Sequence, residues 1–128
     1  MILNNDGMKP IYVQIAEWLE AEILNDTLKE DERIYSQYQL ADMFTINPAT
    51  AAKGLNLLAD EAIAYKKRGL GMFVSPNAKE FIRTKRRNNL LKPMIKELVL
   101  ESRRLEVHEK ELIEMIQKAE IEIEEERL

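Results

Sequence analysis

Residues Ser36–Leu58, SQYQLADMFTINPATAAKGLNLL, contain two helix starts in quick succession. Ser36 can cap a helix with its hydroxyl, and Gln39, three residues on, completes a capping box, so a helix is expected at about Gln37–Phe44. Asn47 is a strong N-cap and Pro48 suits the first helical position, where its missing N–H costs nothing, which sets a second helix at about Pro48–Glu61. Only Thr45-Ile46-Asn47 lie between them, the short connection of a helix-turn-helix. On the second of these helices Ala51, Gly54, Leu55 and Leu58 form an inward stripe. Ala49, Thr50, Ala52, Lys53 and Asn56 are left on the face and edges that could enter a groove. On an isolated helix the same residues would be no more than a solvated face.

The flanking sequence favours the groove. Upstream, Ile11, Ile15, Trp18, Leu19 and Ile23 recur at helical spacing behind Pro10, predicting a helix at about Pro10–Asn25, followed by a charged loop, KEDER. Downstream comes Tyr65–Val74, YKKRGLGMFV, with three cations and two glycines before a short apolar run. A dinucleotide-binding loop would need a third glycine where Val74 stands. Two strands, about Ala64–Lys67 and Met72–Ser75, joined by a tip where the glycines allow positive φ, fit better. The expected arrangement is three helices and a basic hairpin.

Composition narrows the class. The chain has 128 residues, no cysteine, 45% hydrophobic and 33% charged residues, which suits one soluble domain, or a small domain plus an extension, with a core modest enough for a partner to add stability. Disulfides and thiolate metal sites are excluded. No apolar run reaches the length of a membrane span, and MILNNDGMKP lacks the pattern of an export signal, so a cytoplasmic location without membrane association is expected. The net charge of −4 argues against a nonspecific nucleic-acid coat. The cations of the first part are clustered, however, with Lys66, Lys67 and Arg68 on the hairpin and Lys53 upstream, which keeps one face locally positive.

The stretch KPIYVQIAEWLEAEILNDTLKEDERIYSQYQLADMFTINPATAAKGLNLLADEAIAYKKRGLGMFV resembles the N-terminal winged helix-turn-helix of GntR-type bacterial transcription regulators. The likeness covers about residues 9–75 and follows the family's motif order: P-x-Y-x-Q-I, S-x-x-x-L-A, the recognition helix, then R-G-x-G-x-F-V. The short remainder resembles the YtrA subfamily, whose C-terminal part is a small helical dimerisation unit. The resemblance implies a mainly α fold with a small β-hairpin, a DNA-binding domain at 1–77 and a helical dimerisation tail at 78–128. It implies a homodimeric, sequence-specific repressor of a palindromic operator. The family's P-S-E-R segment stands here as Tyr35-Ser36-Gln37-Tyr38, and its S-R-x-T-V-R signature as Asn47-Pro48-Ala49-Thr50-Ala51-Ala52, so the arginines that commonly reach DNA are replaced. The candidate DNA-binding set is Ser36, Tyr38, Asn47, Ala49, Thr50, Ala52, Lys53, Asn56, Lys67, Arg68, Gly69 and Gly71, with the wing the best-matched element. No arginine fork on the recognition helix can read guanine, leaving hydrogen bonds by Thr50 and Asn56, thymine-methyl contact by Ala49 or Ala52, Lys53 to a base or a phosphate and shape readout by Arg68; phosphate contact by Thr50 and Lys53 is favoured, and Tyr38 can donate its hydroxyl to a phosphate. Tyr35 suits packing and DNA contact equally. An acidic reader half without recognition arginines also suits a winged-helix protein-interaction module that does not bind DNA.

The tail reads as helical throughout. Pro93 should kink or break its first helix, and Leu91, Met94, Ile95, Leu98, Val99 and Leu105 form a stripe around it. His108-Glu109-Lys110-Glu111 reads as a restart with Glu111 as the acid of a capping box, followed by Leu112, Ile113, Met115, Ile116 and Ala119 on a helix at about Glu109–Glu125. One continuous coiled coil is the alternative, interrupted at Ser102 and Glu109. The expected dimer contacts are Leu91, Ile95, Leu98, Leu105, Leu112, Met115, Ile116 and Ala119, in a helical hairpin packed against its copy. Catalysis has no constellation to support it: His108 is the only histidine, and neither a Ser/His/Asp set nor a P-loop can be assembled. No cofactor or metal is expected. A small-molecule inducer, if present, has the inter-domain or dimer cleft to use.

Overall fold

A computed structural model describes residues 9–128, and the sequence reading of the first residues as lacking an export signal lies outside them. The order of elements is α1 (Ile11–Leu24), α2 (Gln37–Phe44), α3 (Pro48–Asp60), β1 (Ala64–Lys67), β2 (Gly71–Val74), α4 (Ala78–Arg86), a π-turn (Arg87–Leu91), α5 (Lys92–Arg104) and α6 (Glu109–Glu126). The expected helices and hairpin form within a residue or two of their anticipated ends. The chain divides into two compact units, one ending at Lys85 and the other running Arg86–Leu128. Among the described residues, no helix is long and apolar enough to cross a membrane.

In the first unit, α1 and α2 both pack against α3. The core is built from Ile15, Leu19 and Ile23 of α1, Leu40 of α2, Ala51, Leu55 and Leu58 of α3, and Ile63, Val74 and Ile82 beyond it. Each leucine, isoleucine or valine among them removed from water contributes about 1.5–3 kcal/mol. Trp18 meets Phe44 edge-on at 5.1 Å between ring centroids and lies 5.9 Å from Tyr35, so Tyr35 is a packing residue. The resemblance places residues 78–128 in the tail; Ala78 and Ile82 of α4 are fully buried in this first core.

Gly54 sets how closely α1 and α3 approach. A Cβ there would stand 2.9 Å from the Tyr12 carbonyl oxygen and 3.1 Å from Ile15 Cγ2. Gly54→Ala gains helix propensity, about 1 kcal/mol, but it forces a backbone carbonyl out of the way, and overpacking costs about 1–3 kcal/mol. A net destabilisation of about 1–2 kcal/mol is expected in urea denaturation; a stabilised variant would show that α1 can shift freely.

The hairpin is antiparallel, pairing Ala64 with Val74, Tyr65 with Phe73, Lys66 with Met72 and Lys67 with Gly71. Ala64, Met72 and Val74 are buried, while Tyr65 and Phe73 stack at 5.8 Å. The KEDER segment is more than the loop its charge suggests. Asp31 N–H donates to Val74 O, Val74 N–H to Glu32 O and Ile34 N–H to Met72 O, so residues 31–34 lie alongside β2, with a bridge between Arg33 and Phe73. Burial of Ile34 anchors this pairing, which no local pattern announces.

In the second unit the helix does not simply break before Pro93. It widens into a π-turn, with Lys92 N–H reaching Arg87 O five residues back, and Pro93 falls in the first turn of α5, where its missing N–H is harmless. α5 then ends: Glu106 adopts φ 58°, its N–H donates to Arg103 O, and Val107 N–H donates to Ser102 O, the two bonds of a Schellman motif. The continuous coiled coil is therefore replaced by two helices. The capping box expected at the restart lacks its forward half, because His108 makes no side-chain cap bond; Glu109 and Glu111 favour the helix start through their charge alone. The apolar stripe, including Leu91, Ile95, Leu98, Leu105, Met115 and Ile116, stands exposed in the single chain, and Leu112 is half-buried.

Candidate nucleic-acid interface

The local signals at Ser36 and Asn47 do what they announce. Ser36 Oγ accepts from Gln39 N–H at 3.1 Å while Gln39 Oε1 accepts from Ser36 N–H at 2.8 Å. Asn47 Oδ1 accepts from Ala49 N–H at 2.8 Å. Both side chains are thus engaged in starting α2 and α3, and their first role is to orient the helix pair. Thr45, in the left-handed region at φ 55°, turns the chain between them.

The inward and outward faces of α3 divide as the periodicity requires. Ala51, Gly54, Leu55 and Leu58 are buried. Ala49, Lys53 and Asn56 are exposed, and Thr50 and Ala52 half-exposed, on one small, nearly neutral surface. Lys53 Nζ lies 5.5 Å from the centroid of the Tyr12 ring, a cation–π contact that holds its ammonium near the start of α1 while leaving it wet. Tyr38, at the start of α2, is 69% exposed, an unusual setting for a large aromatic side chain without a partner to cover it.

At the hairpin, Gly69 and Gly71 hold φ 78° and 115°, which side chains with a Cβ rarely adopt. At Gly71 there is a second constraint, since a Cβ would lie 3.2 Å from Arg33 Nε. The three hairpin cations differ. Lys67 Nζ sits 4.6 Å from the Phe73 centroid and 5.8 Å from that of Tyr65, over the stacked pair. Arg68 occupies the exposed tip and makes no ion pair or hydrogen bond among the described residues. Lys66 faces a cleft of about 180 Å³ bounded by Tyr38, Ala52, Asn56, Gly71 and Arg33. Tyr65 OH donates to Asp31 Oδ1 at 2.8 Å, pinning β1 to the 31–34 segment. That bond, followed by burial and the Asp31 charge, raises the phenol pKa above its ordinary value.

Of the twelve positions anticipated from sequence, those on α2, α3 and the hairpin form two neighbouring groups, the outer face of α3 with Tyr38 and the glycine-bearing tip. Sequence reasoning passed over Arg33 and Lys66 as lining residues. Lys66 could have been found by hairpin register. Arg33 could not, because its position depends on a pairing with β2 distant in sequence.

No family model matches the chain. Among curated proteins, it is 36% identical over 75 residues to the HTH-type transcriptional repressor NagR of Bacillus subtilis, covering 59% of this chain and 31% of NagR. It is 29% identical over 93 residues to the transcriptional repressor YtrA of the same organism, covering 73% of this chain and 71% of YtrA. The chain thus spans less than a third of NagR and about seven-tenths of YtrA. Among solved structures, the AraR DNA-binding domain in complex with operator ORE1 matches with a TM-score of 0.52 and 26% identity, covering 58% of this chain and 90% of that one. A GntR-family transcriptional regulator from Bacteroides thetaiotaomicron matches with a TM-score of 0.73 and 30% identity, covering 84% of this chain and 94% of that one. With 30% identity to that regulator over 94% of its length, and with a helix-turn-helix followed by a glycine-tipped hairpin, the chain belongs to the GntR family of winged-helix transcription regulators.

Proposed function

We propose that this protein is a homodimeric, sequence-specific DNA-binding repressor that acts in the cytoplasm by occupying an inverted-repeat operator. The observation that carries this reading is the pairing of α3 with the hairpin. A helix with an exposed face of small side chains stands beside a cationic tip whose two glycines hold positive φ, the equipment for a major groove and the neighbouring backbone or minor groove. The exposed apolar stripe of the second unit supports a partner copy, and a two-fold dimer would read two half-sites related by the same symmetry. Relatives that bear the name transcriptional repressor, and a related DNA-binding domain solved on its operator, support the same direction.

Within this reading the first unit is the DNA-binding domain and the second the dimerisation unit. Residues on α3 divide into positioning and reading. Lys53, a flexible ammonium without fork geometry, neutralises a phosphate. Asn56 offers an amide that matches an adenine edge, and Ala49 and Ala52 offer methyl contact to thymine. Duplexes selected by the protein from a random-sequence pool are expected to share an inverted repeat. On such a duplex Lys53→Ala should weaken selected and random DNA about equally, whereas Asn56→Ala should weaken the selected duplex by about tenfold or more and leave random DNA nearly unchanged. A pool that yields no enriched sequence, with no shift of any duplex at low salt, would favour the interaction-module reading instead.

A further inference from the structure

We infer that Arg33, together with Lys66, clamps a backbone phosphate of the bound duplex, supplying the guanidinium that α3 does not carry; this rests on the DNA-binding reading above. Nothing in the sequence singles out Arg33, which lies in a segment rich in acids. Its backbone bridge to Phe73 carries it out of that segment and onto the flank of the hairpin. There the guanidinium lies over Gly71: a Cβ on that residue would be 3.2 Å from Nε and 3.6 Å from Nη2. A Cβ at 71 would require the guanidinium to give by a few tenths of an ångström, so the glycine lets it lie close against the hairpin.

The cleft beneath it has the right chemistry for one oxyanion. Arg33 and Lys66 line it from two different elements, Tyr38 and Asn56 stand on its wall beside the apolar Ile34, Leu55 and Met72, and no carboxylate is among the lining residues. Among the described residues neither cation forms an ion pair, so both charges are available to a ligand. Ala52 leaves the cleft open from the α3 side, where a long side chain would fill it. A phosphodiester on the strand that passes between α3 and the hairpin matches this site in charge and size, and a planar guanidinium can meet it with two parallel N–H donors. The consequence is a division of labour: backbone positioning comes from the 31–34 segment, the hairpin and Lys53, and the remaining outer face of α3 is left free to make short-range contacts with base edges.

The test is fluorescence anisotropy with the full chain, using a selected duplex and a random-sequence duplex at several salt concentrations. Wild type, Arg33→Ala, Arg33→Lys, Lys66→Ala and the double alanine variant are compared, with thermal melting to verify folding; both sites are exposed, so the melts should be unchanged. Arg33→Ala is expected to weaken both duplexes by about tenfold, and Arg33→Ala combined with Lys66→Ala to reduce the salt slope by about one per subunit. Arg33→Lys should keep the slope and recover only part of the affinity, because the fork is lost. Unchanged affinity in Arg33→Ala, or an unchanged slope in the double variant, would overturn the inference, as would a loss confined to the selected duplex, which would make Arg33 a base reader. Inorganic phosphate at matched ionic strength should not compete; if it displaces DNA from wild type and not from Arg33→Ala, the cleft is a small-anion site and the inference falls. Wild type that binds neither duplex would sink the DNA-binding reading and this placement with it, whereas wild type that binds while Arg33→Ala is silent sinks this placement alone.

Discussion

Ile116→Asp is expected to leave the protein monomeric at micromolar concentration and to weaken operator binding by about two orders of magnitude. Ile116 is 44% exposed in the single chain, so an aspartate there is harmless to an isolated monomer and harmful only where a second copy covers it. Ile113 and Met115 beside it on α6, and Met94, Ile95 and Leu98 on α5, are exposed in the same way, and a run of large apolar side chains in water is the mark of an interface. A carboxylate buried in that seam without a cation is too costly for the dimer to tolerate. The drop in affinity follows because two linked reading heads bind as one event, and a monomer loses the second. Sedimentation read together with anisotropy checks both parts. A variant that remains dimeric would move the interface off α6, and a wild type that is monomeric would remove the basis for palindromic recognition.

Lys85→Ala is expected to destabilise the first unit by about 3 kcal/mol. Glu20 is 1% exposed, and the Lys85 ammonium meets its carboxylate at 2.5 Å and that of Glu61 at 2.8 Å. One cation thus ties α4 to α1 and to the end of α3. Removing it leaves carboxylate charge on a buried group with its principal cation gone, the expensive half of a broken buried pair. Urea denaturation measures the loss. Exchanging Lys85 for Met and Glu20 for Leu together should restore most of it, because an apolar pair of similar volume avoids the desolvation cost. The pH dependence has a definite sign. Burial lowers the Lys85 pKa, but its hydrogen bonds to Glu20 and Glu61, with their charge, outweigh burial and raise it above the usual 10.5. The linked stability is then fully present below that ordinary value and lost as pH rises through the folded one. Lys85→Ala should therefore lie closest to wild type in strongly alkaline solution; a gap that widened there would contradict the ion-pair account.

The parts of the fold legible in the sequence are those with a local cause. Ser36 with Gln39, and Asn47 with Pro48, are complete helix starts within a few residues, and the structure uses each as its chemistry suggests. The hairpin was legible because glycines at a tip between apolar and basic residues leave few alternatives. Helix ends were harder. Asp26, Ala62 and Glu106 take up left-handed conformations at φ 63°, 62° and 58°, closing α1, α3 and α5 where glycine would have been the expected signal. Pro93 marked an interruption but not its form, since a missing N–H permits a break, a kink or the π-turn found here.

Illegible features are those decided by distant partners. The pairing of residues 31–34 with β2 spans much of the first unit, and it alone brings Arg33 to the edge of the site. The Lys85 network joins residues 65 and 24 positions apart, so a lysine in a charged run gave no hint of being structural. For the candidate interface, the emptiness of α3 was plain from Pro48, Ala49 and Ala52. The cleft beside Ala52 that Arg33 and Lys66 line has no such local sign.

The salt dependence of wild-type binding to a selected duplex, set against a random one, tests the central claim most directly. If Lys53, Arg68 and the Arg33–Lys66 pair each neutralise one phosphate in each subunit of a dimer, log affinity should fall with log salt at a slope of about −5. The selected duplex should hold a tighter affinity at every salt concentration, since base contacts by Asn56 and the alanines do not release counterions. No binding to either duplex at low salt, or a steep slope with no preference between them, would contradict the account of a sequence-specific winged-helix regulator.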